Sequence, residues 1–379
     1  MILDARFCRP FRSRSILGKM KFNVRRSAQV VKGEDCKSFM QRFESALRLQ
    51  TFYLFVSPHR GIVLGMTSPN FRPYTSDDIQ IRIDSYNLGW PGYPTTREEI
   101  EASDATTPED IVLNRFVCDT YPSGPIFASA VQTYWYKEPG QFQITPAMNP
   151  ESGPYLETYQ FLLDHIAQYD PKWVVSPSRS DLPRRTEALV ELGFTELESS
   201  PVSRLIVDEF DFLDVVQARR IVENQGFRIV SFEELEAEGC DWRLALFEAS
   251  NEMAMDIPTE NPFEPLDQDE EYKEFENRDA YNPKLMHAVM DGENIAAYTR
   301  IRQFKADPTR AGTEFSGTRR DYRRLGLVKA VKVVSIHNAK AHGIKEILAD
   351  NLEKNVMYKI NLDLGFKVWT HLQLFKRAY

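Results

Sequence analysis

Two stretches of helical periodicity in this chain close on the same tripeptide, Leu192-Gly193-Phe194 and Leu364-Gly365-Phe366, and each is followed by a strand-like run. A repeated strand-and-helix rhythm is the signature of a duplicated α/β unit, in which the same kind of core is buried twice. The 379 residues leave room for two such domains and an appended segment.

The rhythm becomes regular from Met66. A strand over 71–74 and a helix over 77–88 are expected first, the helix stopped by Gly89-Trp90-Pro91-Gly92-Tyr93-Pro94. A hairpin over 111–118 and 126–136 follows, then a strand over 141–145, a helix over 155–168 and a strand over 173–176. A helix over 184–192 leads to a last strand over 202–207. The second unit runs from 208 to 379. A helix over 212–224 ends at Gly226, a normal cap position. A strand over 227–232, a helix over 241–253 and a long acidic loop to 282 come next. Strands over 285–290, 296–303 and 313–319 precede a helix over 325–342, a strand over 344–349, a short helix over 355–364 and a final strand over 368–375. Trp90, Tyr93 and Trp135 read as core, and the acidic stretch 264–276 as a solvated loop.

Charge divides the chain differently. Residues 1–65 hold 13 Lys or Arg against 4 Asp or Glu, while the remainder holds 34 against 51. So acidic a body is a poor nucleic-acid binder, since phosphate neutralisation needs a basic face. Segment 1–65 reads as a basic extension, either disordered or carrying a short strand over 22–25 and a helix over 35–49. Its Arg-rich, acid-poor start (Arg6, Arg9, Arg12, Arg14) also suits a targeting peptide, and translated upstream sequence is a third reading. No apolar run approaches the roughly 18 residues of a membrane span. Cys8, Cys36, Cys118 and Cys240 are scattered, without a CxxC pair or a His at ligand spacing. They read as reduced thiols of a cytoplasmic protein with neither a metal site nor a membrane partner, monomeric or homodimeric.

The chemistry concentrates in Arg323-Arg324-Leu325-Gly326-Leu327-Val328, a turn between a strand and a helix. The first amides of a helix lack intrahelical acceptors, and the helix dipole adds about half a positive charge beside them. A diphosphate placed there accepts several N–H bonds, and Gly326 permits close backbone approach.

With its surroundings, this loop resembles the GNAT acetyltransferase superfamily, in the tandem-domain type similar to mycothiol synthase. The run Ser316-Gly317-Thr318-Arg319-Arg320-Asp321-Tyr322-Arg323-Arg324-Leu325-Gly326-Leu327, with Lys332 on the helix, matches that family's strand-and-loop motif. Asn351, Asn355, Met357, Asn361 and Leu364-Gly365-Phe366 fall where its second motif lies. The resemblance implies two tandem GNAT-like α/β domains, each a mixed, mostly antiparallel twisted sheet flanked by helices, with splayed central parallel strands in the C-terminal one. It implies acetyl-CoA as co-substrate, no metal, and N-acetyl transfer to a primary amine of a small molecule or peptide. Ser316, Gly317 and Thr318 would pair with the pantetheine arm like an added strand. Arg323, Arg324, Leu325, Gly326, Leu327, Val328 and Lys329 would hold the diphosphate, with Asn355 as a further cofactor contact. Val328 stands where the motif prefers Gly or Ala.

Catalytic groups depart from the family pattern. The usual base position falls on Gly312, leaving Glu314 on the same strand face as the candidate. The usual acid position, a Tyr, is Asn361, with Tyr358 one helical turn away. These departures admit two alternatives, a non-catalytic acyl-CoA sensor or a transferase of another acyl group, including tRNA-dependent aminoacyl transfer. His337 and His342, five apart on one helix, share no face. In the first unit the corresponding loop is Asn149-Pro150-Glu151-Ser152-Gly153-Pro154. Its prolines donate no N–H, Glu151 repels phosphate and the loop contains no arginine, so residues 66–207 are read as a degenerate partner walling the acceptor site.

Overall fold

Alternating apolar positions build the strands of the computed structural model, which describes residues 68–105, 107, 111–132, 140–210, 214–257, 267–277 and 281–379. The expected strand and helix of segment 1–65 lie outside the described residues, as does Trp135. In the first half come β1 (Arg72–Pro73), α1 (Ile79–Gly89), α2 (Arg97–Ala105), β2 (Leu113–Cys118), β3 (Ile126–Gln132), β4 (Gln141–Ala147), α3 (Tyr155–Ile166), β5 (Trp173–Arg179), α4 (Pro183–Glu191) and β6 (Thr195–Ile206). The second half contains α5 (Val215–Glu223), β7 (Arg228–Ser231), α6 (Phe232–Ala237), α7 (Arg243–Ala254), α8 (Gln268–Phe275), β8 (Met286–Asp291), β9 (Asn294–Gln303), β10 (Arg310–Thr318), α9 (Leu327–Ala341), β11 (Glu346–Asp350), α10 (Val356–Asp363) and β12 (Lys367–Ala378).

The twelve strands form one mixed sheet in the order β1-β2-β3-β4-β5-β12-β6-β11-β10-β9-β8-β7. Among the described residues, only β4–β5 and β10–β11 are parallel. Each parallel pair stays in register for three residues, Gln141–Gln143 against Trp173–Val175 and Arg310–Gly312 against Glu346–Leu348, and then opens. The seam is an exchange. β6, from the first half, pairs with β11 of the second, while β12 inserts between β5 and β6.

The repeated tripeptide does the same work twice. Gly193 and Gly365 take φ of 81° and 89° after α4 and α10, a left-handed turn that glycine adopts without Cβ strain. The next amides, on Phe194 and Phe366, then reach back to the carbonyls of Leu189 and Asn361 at 3.0 and 3.1 Å, and both rings are buried. In the first half, α3 and α4 bury Leu162, Ile166 and Leu189 against Phe142 and Ile144. In the second, α9 buries Val331 and Val334 against Ile301 and Ile347. On the opposite sheet face, α6, α7 and α8 close a separate core around Phe232, Trp242, Phe275 and Met286.

Three helices differ from the sequence reading. Helix α2 is announced by a reciprocal cap, in which Thr96 N–H reaches Glu99 Oε2 at 3.1 Å and Glu99 N–H reaches Thr96 Oγ1 at 3.3 Å. Ser231 and Glu234 cap α6 in the same way. The acidic stretch is no solvated loop over its described part: α8 buries Phe275 and Glu271, the latter accepting from Tyr281 Oη at 3.3 Å. Strand β6 also starts seven residues earlier than expected, because β12 supplies a partner for its first half. No helix among the described residues is long and apolar enough to cross a membrane.

Candidate active site

The open end of the β10–β11 pair and the start of α9 meet at the expected loop. Beyond Gly312 the β10 edge that faces β11 has no ladder partner among the described residues. A bulge at Glu314, between Thr313 and Phe315, shifts the register with β9 and turns the strand locally. Ser316, Gly317 and Thr318 continue from it, opposite Thr299, Tyr298 and Ala297. Gly317 is required by packing: a Cβ there would stand 2.6 Å from Met253 Sδ of α7.

The loop backbone is a nest. Arg324 and Gly326 both adopt left-handed φ, 67° and 76°, on either side of Leu325. Such alternation turns successive amides inward, and a non-glycine residue held there is a strained position of about 1 kcal/mol or more. Gly326 then caps α9, whose first amides, on Leu327, Val328 and Lys329, have no intrahelical acceptor. The Leu327 and Val328 side chains are buried in the core, so only their backbone is presented. That accounts for Val328 in place of Gly or Ala. Leu325 is exposed, with its carbonyl accepting from Gln225 Nε2 at 3.3 Å, and Lys329 stands 3.7 Å from Asp363. Tyr322 pins the outer side by donating to Asp291 at 2.8 Å.

Two carboxylates clamp this loop, Glu252 on α7 and Asp256 just past its end, and sequence spacing gave no signal of them. Glu252 accepts from Arg319 Nε at 2.7 Å and from the Arg320 amide at 2.6 Å. Asp256 accepts from Arg320 at 2.9 and 3.0 Å and from Arg323 Nη2. The Arg320 and Arg323 guanidinium groups hold the Asp256 carboxyl down to about 2. Arg323, the expected diphosphate cation, therefore already has an anionic partner.

Behind β10 lies Lys332, buried to 3% exposure on α9. Its Nζ donates to Ser316 Oγ at 3.1 Å, and Ser316 Oγ shares a 2.7 Å hydrogen bond with Thr299 Oγ1. Burial lowers this amine to about 7. Asn355 caps α10 through a 2.9 Å bond from the Met357 amide. Asn361 is buried and donates to Asn351 Oδ1 at 2.6 Å, so a side-chain amide occupies the expected acid position. Tyr358 is half-buried on α10. Glu314 sits on the sheet face opposite α9 and accepts from Arg302 Nε at 2.9 Å, while Arg302 lies 3.7 Å from Glu99 of α2.

The first half repeats the splay but not the nest. Asn149 Oδ1 accepts from the Glu151 and Ser152 amides at 2.9 and 3.2 Å, and the Gly153 amide bonds Asn149 O at 2.9 Å, so the loop consumes its own donors. Met148, 1% exposed, packs against Gly153 and fills the space behind them. An arginine from another element reaches this loop. Arg184 of α4 donates to the Glu151 carbonyl, a contact between elements that the loop sequence could not reveal.

The first half also covers the second. Tyr93 is not a core residue: it is half-buried at the seam, with its ring 6.2 Å from Phe304, and Gly92 lies against Trp369. Burial, with Asp350 nearby, pushes the Tyr93 phenol well above its ordinary range. Among the described residues, no group of three or more His, Cys, Asp or Glu could hold a metal ion.

No family model and no curated protein sequence matches the chain. Solved structures do. A tandem GNAT protein from the clavulanic acid biosynthesis pathway superposes with a TM-score of 0.55 at 11% identity, covering 82% of this chain and 98% of its own. A GCN5-related N-acetyltransferase from Sphaerobacter thermophilus gives 0.54 at 14% identity, covering 82% and 95%. A GNAT-family acetyltransferase from Colwellia psychrerythraea gives 0.52 at 12%, covering 81% and 99%. These likenesses run through both halves of the sheet. The chain has the fold of the tandem GNAT acetyltransferases.

Proposed function

We propose that the protein is an acetyl-CoA-dependent N-acetyltransferase with one cofactor site, in residues 208–379, acting on a primary amine of a small molecule or peptide. Residues 66–207 serve as the wall of its acceptor side. The observation that carries this reading is the difference between the two splays: both open after three paired residues, yet only the second ends in left-handed Arg324 and Gly326 with free helix amides behind them. Those amides, with Arg320 and Arg323, fit a diphosphate. The unpaired β10 edge at Ser316–Thr318 fits a pantetheine arm. Acetyl-CoA supplies an activated acyl carbon and a thiol leaving group. The chain holds it, excludes water from the gap and presents the acceptor from the opposite sheet face.

Calorimetry with acetyl-CoA tests the site: one molecule per chain is expected, lost in Arg323→Glu and kept in Asn149→Ala. Two equivalent sites, or none, would overturn the assignment. Thiol release against an amine panel, with a no-acceptor control, then separates transferase from sensor. The sensor reading rests on Asn361, whose buried amide offers no acidic hydroxyl; it wins if acetyl-CoA binds and no amine is acetylated.

A further inference from the structure

Residues alternate across β11: Ile347 and Ala349 face the α9 core, so Glu346, Leu348 and Asp350 face the other way. Arg310 and Gly312 of β10 share that face, as the ion pair of Arg310 with Glu346 requires. Asp350 thus ends β11 on the acceptor side of the splay, two residues past the last β10–β11 pair, and it is half-buried. Two other carboxylates of this face are already paired, Glu346 with Arg310 and Glu314 with Arg302. Among the described residues, Asp350 receives a single hydrogen bond, 3.2 Å from Ser200 Oγ of β6. Around it stand Tyr93 and, near the Tyr93 phenol, Arg179, Arg310 and Asp181. Apolar rings complete the wall: Phe304 beside Tyr93, and Trp369 between the Arg179 and Arg204 guanidinium groups at 4.6 and 5.7 Å.

Resting on the acetyltransferase reading, we infer that Asp350 is the residue that binds the acceptor's ammonium group and takes its proton, and that the acceptor carries this group on an apolar or aromatic body lodged against Tyr93 and Phe304. A carboxylate with no guanidinium partner among the described residues is open to a cation in a way that Glu314 is not. Burial holds its carboxyl above the ordinary range, the direction that suits a proton acceptor. One proton passes from the ammonium nitrogen to an Asp350 oxygen, leaving a neutral amine. As the amine nitrogen bonds to the thioester carbonyl carbon, the C–S bond breaks, and the remaining surplus N–H proton leaves with the thiol. Asp350 then returns its proton to water.

The test uses the full chain with acetyl-CoA and phenethylamine as probe acceptor. Wild type should acetylate phenethylamine. Asp350→Asn should lower kcat/KM by roughly 100-fold or more and abolish the acidic limb of its pH profile, with acetyl-CoA affinity by calorimetry unchanged. Asp350→Glu should restore part of the rate and the limb. An Asp350→Asn variant that keeps the rate and the limb overturns the inference. So does a wild type that binds acetyl-CoA, acetylates other amines and ignores phenethylamine. Failure of wild type to bind acetyl-CoA at all removes the underlying reading instead, and is told apart by the calorimetry.

Discussion

Lys332 Nζ donates to Ser316 Oγ across 3.1 Å, joining the second turn of α9 to the β10 strand from beneath. The amine is buried to 3% exposure and lowered by desolvation to about 7, against an ordinary value of 10.5. The unfolded chain therefore binds a proton between pH 7 and about 10 that the folded chain refuses, so stability from this group rises with pH across that window. The expected gain is roughly 1.4 kcal/mol per pH unit. Lys332→Met removes the dependence: it should be more stable than wild type at pH 6.5, with the gap closing towards pH 10. Urea unfolding at both ends measures this, and a pH-independent difference would refute it.

Asp256 competes with any diphosphate for Arg320 and Arg323. Asp256→Asn should therefore tighten acetyl-CoA binding about threefold to tenfold at low salt, equivalent to roughly 0.7–1.4 kcal/mol. The gain should shrink at high salt, because the pair is partly solvent-exposed and screened. Calorimetry at two ionic strengths reads both effects. Weaker binding in the variant would mean that Asp256 holds the loop in its binding shape.

Gly317→Ala places a methyl 2.6 Å from Met253 Sδ and 3.1 Å from its Cγ. Overpacking of this kind costs about 1–3 kcal/mol. Pairing it with Met253→Ala should recover part of that loss relative to the sum of the single variants, since the two residues are in contact. Simple additivity in a denaturant double-mutant cycle would show that the clash is not what constrains this glycine.

Strand exchange makes the halves interdependent. Residues 208–379 expressed alone would leave the β11 edge without β6 and β12 without either neighbour. They should be insoluble, whereas co-expression with residues 66–207 should recover a soluble complex. A monomeric, folded 208–379 fragment with native-like circular dichroism would contradict this.

Much of this architecture is legible in the residues because local signals and tertiary packing agree. Leu192-Gly193-Phe194 and Leu364-Gly365-Phe366 encode their own caps, and the nest is written in Arg324, Leu325 and Gly326. What stayed hidden depends on distant parts of the chain. Arg323 gave no hint of Asp256, and Glu314 none of its Arg302 partner, because those partners come from other elements. Tyr93 read as core, since only the sheet exchange places its loop over the second half. The Thr96 and Glu99 cap was readable, yet α2 has only Ile100 as a fully buried apolar residue and so lacks a strong periodic stripe.

The β12 strand has a consequence for synthesis. Arg179 of β5 pairs with Leu372, far along the chain. A ribosome adding roughly 5–20 residues per second needs about ten to forty seconds to pass from one to the other. Throughout that interval β5 carries an open edge of unpaired amides and carbonyls, beside a first-half core already complete enough to collapse. The nascent protein is thus a sheet waiting for its middle strand, and the stretch of translation between β5 and β12 is when it is most exposed to pairing with the wrong partner.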